Sequence, residues 1–472
     1  MKKIVDQSLY FLSGREKKSF FLLLIGRCLA TILDLLGVLA LGYLGTSVAL
    51  FLSKGSDASR SFSILGHSIS AANIQTLPWI LLGTLILFIA KALVSIGLTR
   101  KMAINFAVTE SRAARKIAEN VLGGNLTDSR KISQEELLFA ITTGTSSAFS
   151  GLFNNLSTLV SEGFLFLGIV FTFLAIDPIA TLGVLAYFSI VAIVIHHFTG
   201  TRIARQSRFL VQNALDANRA LIDLSTSFRE LAVLNKRSKY FDRIEQAKRA
   251  SAEAIGTQLY LAGMPRYVIE TAVLLGALAF AGIKLISGDL ASSVTTLAIF
   301  LTGSMRIVAA MLPWQAALVS IKGIVPQVEF ANRLLMSDLL PPQPSVDVAE
   351  TPKDFSAPAA VNFDKVSFSF EESEYETIRG LDFSISPGSF VSFIGPSGAG
   401  KSTIADLMLG LLSPSSGRIS ISGQAPSKVM HLAPGYMAYV PQTPGALSGT
   451  IRENITLMDA GQPINDDDLE YA

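Results

Sequence analysis

Ile394-Gly395-Pro396-Ser397-Gly398-Ala399-Gly400-Lys401-Ser402-Thr403 fits the phosphate-binding pattern G-x-x-x-x-G-K-[ST] at every fixed position. The flanks agree with it. Residues 389–394 (SFVSFI) are apolar with β-branched and aromatic members, which predicts a buried strand. Residues 401–412 (KSTIADLMLGLL) carry apolar side chains at helical spacing. Phosphate binding needs strand, glycine loop and helix in that order. Glycines let the backbone wrap closely around phosphate oxygens. The helix N-terminus adds unpaired N–H groups and a positive dipole end. Lys401 is placed to reach the β- and γ-phosphates, and the Ser402 hydroxyl to hold Mg²⁺. A glycine turn that precedes a helix by chance would need no strand before it.

The chain has 472 residues, enough for two or three domains. It is 50% hydrophobic and 16% charged, against about 25% charged in soluble proteins, so it predicts a membrane protein. A net charge of +2 gives no argument for a nucleic-acid partner. The one cysteine, Cys28, excludes an intramolecular disulfide and leaves the redox compartment open. The N-terminus MKKIVDQSLYFLSGREKK lacks the short apolar core and small-residue cleavage site of a signal peptide. No internal repeat or low-complexity segment stands out.

Six apolar segments, 20–52, 77–98, 156–176, 179–198, 268–286 and 292–312, reach the ~20 residues needed to span a bilayer. The first is longer than a span needs. The third and fourth are joined by Asp177-Pro178, which predicts a tight hairpin. Basic residues alternate between connections. Lys2, Lys3, Arg15, Lys17 and Lys18 crowd the N-terminal tail, while 53–76 holds only Lys54 and Arg60. The connection 100–155 holds seven Lys or Arg and 201–260 holds eleven. This pattern predicts a multi-pass protein of the cell membrane with both ends in the cytoplasm, where ATP is. Residues 102–122 and 203–249 keep helical spacing, so they predict spanning helices extended into the cytoplasm. Their turns should fall near Gly123-Gly124-Asn125 and within 223–228. The competing reading is amphipathic helices lying on lipid.

Asp34, Lys91, Glu162, Glu270 and Arg306 fall inside these spans, where charge is costly and often functional. Arg27, Glu162 and Glu270 lie near cytoplasmic ends and are expected to snorkel. Asp34 and Arg306 lie deeper and either face a cavity or fix packing. Pro78, Pro178, Pro265 and Pro313 are expected at span ends.

Residues 338–358 contain five prolines and predict a semi-rigid linker. Beyond it, 361–370 alternates like a strand, 371–376 reads as a turn and 381–385 as a second strand. Together these predict a membrane all-α six-helix domain (1–335), a linker (336–358) and a partial α/β P-loop domain with an antiparallel β subdomain (359–472).

These residues resemble the ATP-binding cassette (ABC) transporters of the exporter type. The loop GPSGAGKST is similar to that family's phosphate loop. Tyr439-Val440-Pro441-Gln442 resembles its glutamine loop, and Ser448-Gly449-Thr450-Ile451-Arg452-Glu453-Asn454-Ile455 the segment after it. The resemblance implies ATP and Mg²⁺ as cofactors. It implies that Gly395, Pro396, Ser397, Gly398, Ala399, Gly400, Lys401, Ser402 and Thr403 cradle the phosphates. Phe370 would stack on adenine, where the family usually has tyrosine. Ser402 and Gln442 would hold the metal, and Lys401 and Gln442 would serve catalysis. The turns near Gly123 and Asp223 would couple membrane domain to cassette. The implied partners are the lipid bilayer, a second half-transporter (identical or different) and an amphipathic or lipid-linked substrate.

The sequence departs from the family. Residues 1–472 hold no S-G-G-Q signature, no apolar strand ending in Asp-Glu and no later switch histidine; His431 precedes the glutamine loop. An end inside the domain would leave strand edges uncovered, so a fragment of a half-transporter is expected. ATP-driven export or lipid flipping is the leading function. An ATP-binding regulator without turnover is the alternative if Ala472 is the true end. A membrane-anchored P-loop enzyme ranks last, since anchoring needs fewer spans. Residues 263–270 (GMPRYVIE) and 306–318 (RIVAAMLPWQAAL) also resemble flippases of lipid-linked oligosaccharides. A pyrophosphate-linked sugar would need cations in a wet cavity: Arg306, with Lys91 behind it and Arg266 at the cytoplasmic rim. Alternatively Arg306 pairs with Asp34 or Glu270 and only fixes packing.

Overall fold

Each of the six apolar segments folds inside a long helix, because a backbone in lipid must satisfy its polar groups internally. A computed structural model describes residues 2–54, 61–64, 67–70, 77–123, 126–176, 178–286, 290–337, 357–370, 373, 375–441 and 445–457. It divides into two units: Met1–Gly124 with Asp128–Leu340, and Asn125–Thr127 with Pro341–Ala472.

The first unit opens with α1 (Lys2–Phe11) and α2 (Gly14–Lys54). A hairpin follows, β1 (Ser61–Ile64) and β2 (His67–Ser70), paired from Ser61↔Ser70 to Ile64↔His67. Then come α3 (Leu77–Leu122), α4 (Leu126–Arg130, whose first two residues belong to the second unit), α5 (Gln134–Phe139), α6 (Leu152–Ile176), α7 (Pro178–Thr226), α8 (Phe228–Val233), α9 (Arg237–Ile286) and α10 (Leu290–Leu335). Among the described residues four helical stretches are long and apolar enough to cross a membrane: Pro78–Leu122, Gln134–Phe171, Arg237–Ala279 and Val308–Leu335. Thr181–Ile195 is a shorter apolar stretch. The amphipathic stretches directly continue the spans, α3 through 102–122 and α7 to Thr226. Helix α3 ends at Leu122 and α7 at Thr226, with a further helix break before α9 where Asn235 takes φ 51°. Pro265 and Pro313 lie inside α9 and α10, helices that continue beyond the expected spans.

Aromatic packing fills the centre of this unit. Phe153 meets Phe20 at 5.2 Å, Phe106 at 5.7 Å and Phe149 at 6.2 Å between ring centroids. Two π-helical turns, Ala140–Gly144 and Ser147–Gly151, precede α6. The helix that contains them runs antiparallel to α10. Gly144 lies against Ala331 and Gly151 against Ile324. Ser147 donates to Gln327, and Asn155 donates to Ser320 at 3.0 Å. Asn332 on α10 donates to the Ser8 hydroxyl (3.1 Å) and the Ile4 carbonyl (3.4 Å), which fastens α1. Asn120 donates to the Leu334 and Leu335 carbonyls, both at 3.1 Å, and so covers acceptors that a helix end leaves open.

Ion pairs tie the shorter helices down. Glu135, buried on α5, accepts from Arg219 of α7 at 2.6 Å, and Arg333 lies 3.6 Å from Glu136. Burial works to raise the Glu135 carboxyl. Hydrogen bonds from its own backbone N–H, Arg219 and Ser133 outweigh it and leave it below the usual carboxylate range.

The second unit is built on an antiparallel sheet of β3 (Val361–Phe368), β4 (Ile378–Ile385) and, after α11 (Lys401–Met408), β5 (Ser416–Ile421), in the order β4-β3-β5. Short helices α12 (Pro426–Leu432) and α13 (Ile451–Ile455) follow. Phe363 is opposite Phe383 on one side, with rings stacked at 4.6 Å, and Ile419 on the other. Phe363, Val366, Leu407 and Val429 are fully enclosed. Leu126 packs against this core and donates its N–H to the Leu411 carbonyl (3.1 Å). Gly417 sits at a ladder irregularity with φ +81°, where a Cβ would come within 2.3 Å of the Lys365 carbonyl oxygen, so no other residue fits there.

Candidate nucleotide site and intramembrane polar groups

The expected strand at 389–394 does not form. No ladder partner is paired to it among the described residues, and Phe390 and Ile394 are 97% and 94% exposed. Local β-propensity cannot make a strand without a neighbour to take its hydrogen bonds. The glycine loop that follows is nonetheless folded. Gly398 and Gly400 take φ +83° and +85°. A Cβ on Gly400 would lie 2.7 Å from Ile378 Cδ1, so this glycine also lets the loop rest on β4.

Helix α11 starts at Lys401, and its first turn has no carbonyl four residues back inside the helix. The Lys401 ammonium folds over the loop and donates to the carbonyls of Gly395 (2.9 Å) and Pro396 (2.7 Å). Gly395, Pro396, Ser397, Gly398, Ala399 and Ser402 are exposed, whereas Thr403 turns into the core. The helix ends at Met408, not at 412, because Gly410 takes φ +74° and the N–H groups of Leu411 and Leu412 turn back to Asp406. Phe370 is half-buried and meets Phe368 edge-on at 4.8 Å.

Tyr439 and Val440 are exposed; Gln442 lies outside the described residues. Residues 447–455 form a closed local unit. Thr450 caps α13 in a reciprocal box with Glu453, and Asn454 both donates to (3.0 Å) and accepts from (2.7 Å) the Leu447 backbone. The backbone and side chain of Thr450 hold the Glu453 carboxyl below the usual range. Among the described residues no group of three or more His, Cys, Asp or Glu could hold a metal ion. The loop, its ammonium and the open helix end suit a nucleotide phosphate. Of the two residues expected at Mg²⁺, only Ser402 lies among the described residues.

Inside the first unit the charged residues are not arranged as expected. Lys91 pairs with Asp34, and Glu270 takes Arg266 at 2.9 Å. Both acids expected to compete for Arg306 are thus engaged elsewhere, while the Arg306 side chain lies outside the described residues. Arg27 is bonded to α6. Its guanidinium donates to the hydroxyls of Ser157 (3.2 Å) and Thr158 (3.4 Å) on α6. Two hydroxyls within reach offer an arginine a partner inside the bundle.

Residues 378–471 match the family described as ABC transporter. A solved structure of a bacterial Atm1-family ABC exporter with ATP bound matches 86% of this chain and 69% of its own, with a TM-score of 0.60 at 20% identity. The chain has the fold of an ABC exporter. It is a multi-pass membrane protein with a C-terminal ABC segment. Among curated relatives, ATP-binding cassette sub-family C member 4 of Mus musculus is 28% identical over 50% of this chain and 17% of its own length. The mitochondrial ATP-dependent permease MDL2 of Saccharomyces cerevisiae is 43% identical over 20% of this chain and 13% of its own. The mycobactin import ATP-binding/permease protein IrtB of Mycobacterium bovis is 28% identical over 35% of this chain and 30% of its own. The chain thus spans less than a third of the length of each of these three.

The hairpin β1–β2 and strand β5 were missed in the sequence. Leu65-Gly66 between two alternating tetrapeptides is a hairpin signal. Ser416–Ile421 alternates between glycine-bearing turns. No comparable signal marks the π turns.

Proposed function

We propose that this chain is part of an ATP-driven transporter that moves an amphipathic substrate across the cell membrane, by export or by flipping between leaflets, as a dimer of half-transporters. The observation that carries this reading is Lys401, held over a glycine loop at the open end of α11. On this reading the loop 395–403 cradles the phosphates of ATP and Lys401 leaves its carbonyls to meet the β- and γ-oxygens. Ser402 and Gln442 would hold Mg²⁺, Gln442 would orient the attacking water, and Phe370 would stack on adenine. Closure of two cassettes would turn the spans, with the turns near Gly123 and Asp223 as coupling segments and both chain ends in the cytoplasm.

The narrower reading, a lipid-linked oligosaccharide, needs an uncommitted cation in the spans. Lys91 does not supply one, since Asp34 holds it, so that reading rests on Arg306. The fold does not assign direction, as relatives include a protein named for import.

Lys401→Ala tests the reading. Loss of the Lys401 cation on the phosphates should weaken ATP binding about 10–100-fold, the ~1.5–3 kcal/mol of a hydrogen bond to a charged group. Binding at unchanged affinity, measured by equilibrium titration of a fluorescent ATP analogue, would sink it.

A further inference from the structure

Helix α7 carries a run of charge just beyond its apolar part. After the apolar stretch Thr181–Ile195, Arg202, Arg205 and Arg208 follow at three-residue spacing. Ile203, Ser207 and Val211 are buried and mark the side that faces the bundle. At about 100° per residue, Arg205 stands about 200° round the helix from Ile203, and Phe209 about 240°. Both are on the outward face, with Arg202 and Arg208 flanking them, and all four are exposed.

None of the three arginines makes an ion pair or a hydrogen bond among the described residues. No acid lies at their level to supply one. Residues 178–215 of α7 hold no Asp or Glu. Ile203 lies against Gly323 of α10, and residues 316–326 hold a further cation, Lys322, and no acid. Helix α9 runs antiparallel to α7, with Arg243 4.0 Å from Asp223 and Ile269 in one cluster with Ile195. That register sets Arg205 level with residues 259–261, and 254–269 hold no acid.

The outward face continues into apolar side chains. Val194 lies eleven residues before Arg205, about three helical turns, which returns to the same face. Val194 and Ile190 are both exposed. From Ile190 to Arg205 is fifteen residues, about 22 Å along the helix. Half of a bilayer with its headgroups measures ~20–22 Å. The face thus has the length and polarity of one phospholipid, apolar at one end and cationic at the other. A guanidinium grips a phosphate through paired N–H bonds. A soluble phosphate would leave the apolar part unused. A choline headgroup would bring its own cation to the arginines, so a lipid of net negative charge fits best.

We propose that the outward face of α7 binds one anionic phospholipid, its acyl chains along Ile190 and Val194 and its phosphate between Arg202, Arg205 and Arg208. This needs the fold and the membrane and is independent of the function proposed above.

A reporter beside the arginines tests it. Cys28 is the one cysteine, so Cys28→Ala with Ala204→Cys takes a single bimane label at an exposed position. The protein is placed in phosphatidylcholine nanodiscs with a rising fraction of nitroxide-acyl phosphatidylglycerol, or of nitroxide-acyl phosphatidylcholine. The nitroxide quenches bimane on contact. Phosphatidylglycerol should half-quench the label at a mole fraction about 10-fold lower than phosphatidylcholine. Arg202→Gln with Arg205→Gln should remove this preference, and either change alone should leave about 3-fold. Arg100→Gln with Lys101→Gln, on the exposed continuation of the α3 span, should leave it intact. Equal quenching by the two lipids overturns the proposal, and so does a preference that survives the α7 double change. A loss of the same size on changing Arg100 and Lys101 would mark diffuse surface charge and overturn it as well. Inorganic phosphate that abolishes the preference at constant ionic strength would assign the arginines to a soluble anion; a preference that withstands it supports the lipid. If the double variant fails to fold, the single changes and the comparison of lipids still decide.

Discussion

Both units enclose apolar side chains, but they differ in how many polar groups they also bring inside and in what they turn outward. In the first, polar side chains gather between helices: Asn332 with Ser8, Ser147 with Gln327, Asn155 with Ser320, Lys91 with Asp34. Its outer faces carry large apolar residues such as Trp79, Leu85, Leu93 and Phe171. In the second, Phe363, Val366, Leu407 and Val429 are enclosed, and loop residues 395–399 face outward. The difference teaches what each unit takes as its solvent. Lipid removes the hydrophobic drive between helices, so small residues and hydrogen bonds hold the bundle. Water supplies that drive to the small sheet.

Phe363→Ala strikes the second unit where the comparison is strongest. An enclosed aromatic removed from a sheet between two neighbours should cost about 3–5 kcal/mol. Hydrogen exchange of β3–β5 amides in the whole chain would read it as a loss of protection by several orders of magnitude. Unchanged protection would mean the sheet is not held by its apolar core. The matching change in the first unit is Asn332→Ala. It leaves the buried Ser8 hydroxyl and the Ile4 carbonyl without this donor, which should cost about 1–3 kcal/mol. The effect should appear as faster exchange confined to α1. Exchange that stays slow would show that apolar contacts of Ile4 and Leu12 hold α1 without the hydrogen bonds.

A smaller effect comes from Glu135 and Arg219. The folded Glu135 carboxyl titrates below its unfolded value, so its contribution is complete above the unfolded pKa of about 4.3 and is lost as pH falls through the folded one. Arg219 is half exposed, so screening keeps the contribution to about 0.5–1 kcal/mol. Exchange of α5 amides should accelerate as pH drops below about 4.3, after correction for intrinsic rates. Glu135→Gln should flatten that dependence, and an equal acceleration in the variant would assign it to other carboxylates.

How much of this was legible in the sequence differs between the units for the same reason. Spans and their extensions are local: apolar length and 3.6-residue spacing are present in the chain itself, and α3 and α7 follow them through Leu122 and Thr226. The glycine loop is local too, since Gly398 and Gly400 need their positive φ whatever surrounds them. Pairings across the bundle are not. Nothing in the spacing of Arg27 distinguishes a residue that snorkels from one that finds Ser157 and Thr158. Asp34 could as easily have been read with Arg306 as with Lys91, because depth alone orders them. Residues 389–394 failed for a related reason: their β character is local, but a ladder is made by neighbours.

That stretch supplies the smallest expected effect and the sharpest test of the comparison. Phe390 has the side chain of Phe363 but opposite surroundings, with 97% of its surface exposed against none for Phe363. A phenylalanine already in water loses almost no burial when replaced, so Phe390→Ser should change stability by no more than about 0.5 kcal/mol, the range of ordinary surface substitutions. It should also raise solubility, since Phe390, Val391, Phe393 and Ile394 together form an exposed apolar run beside the glycine loop. The measurement is the same hydrogen exchange over β3–β5, compared directly with Phe363→Ala. If Phe390→Ser instead costs several kcal/mol, residues beyond the described ones cover 389–394 in the protein. The stretch would then be an enclosed strand like β3, and the contrast between the two phenylalanines would belong to the described residues alone. A null effect keeps the loop on an uncovered support, with Gly400 resting on Ile378 as the contact that holds it.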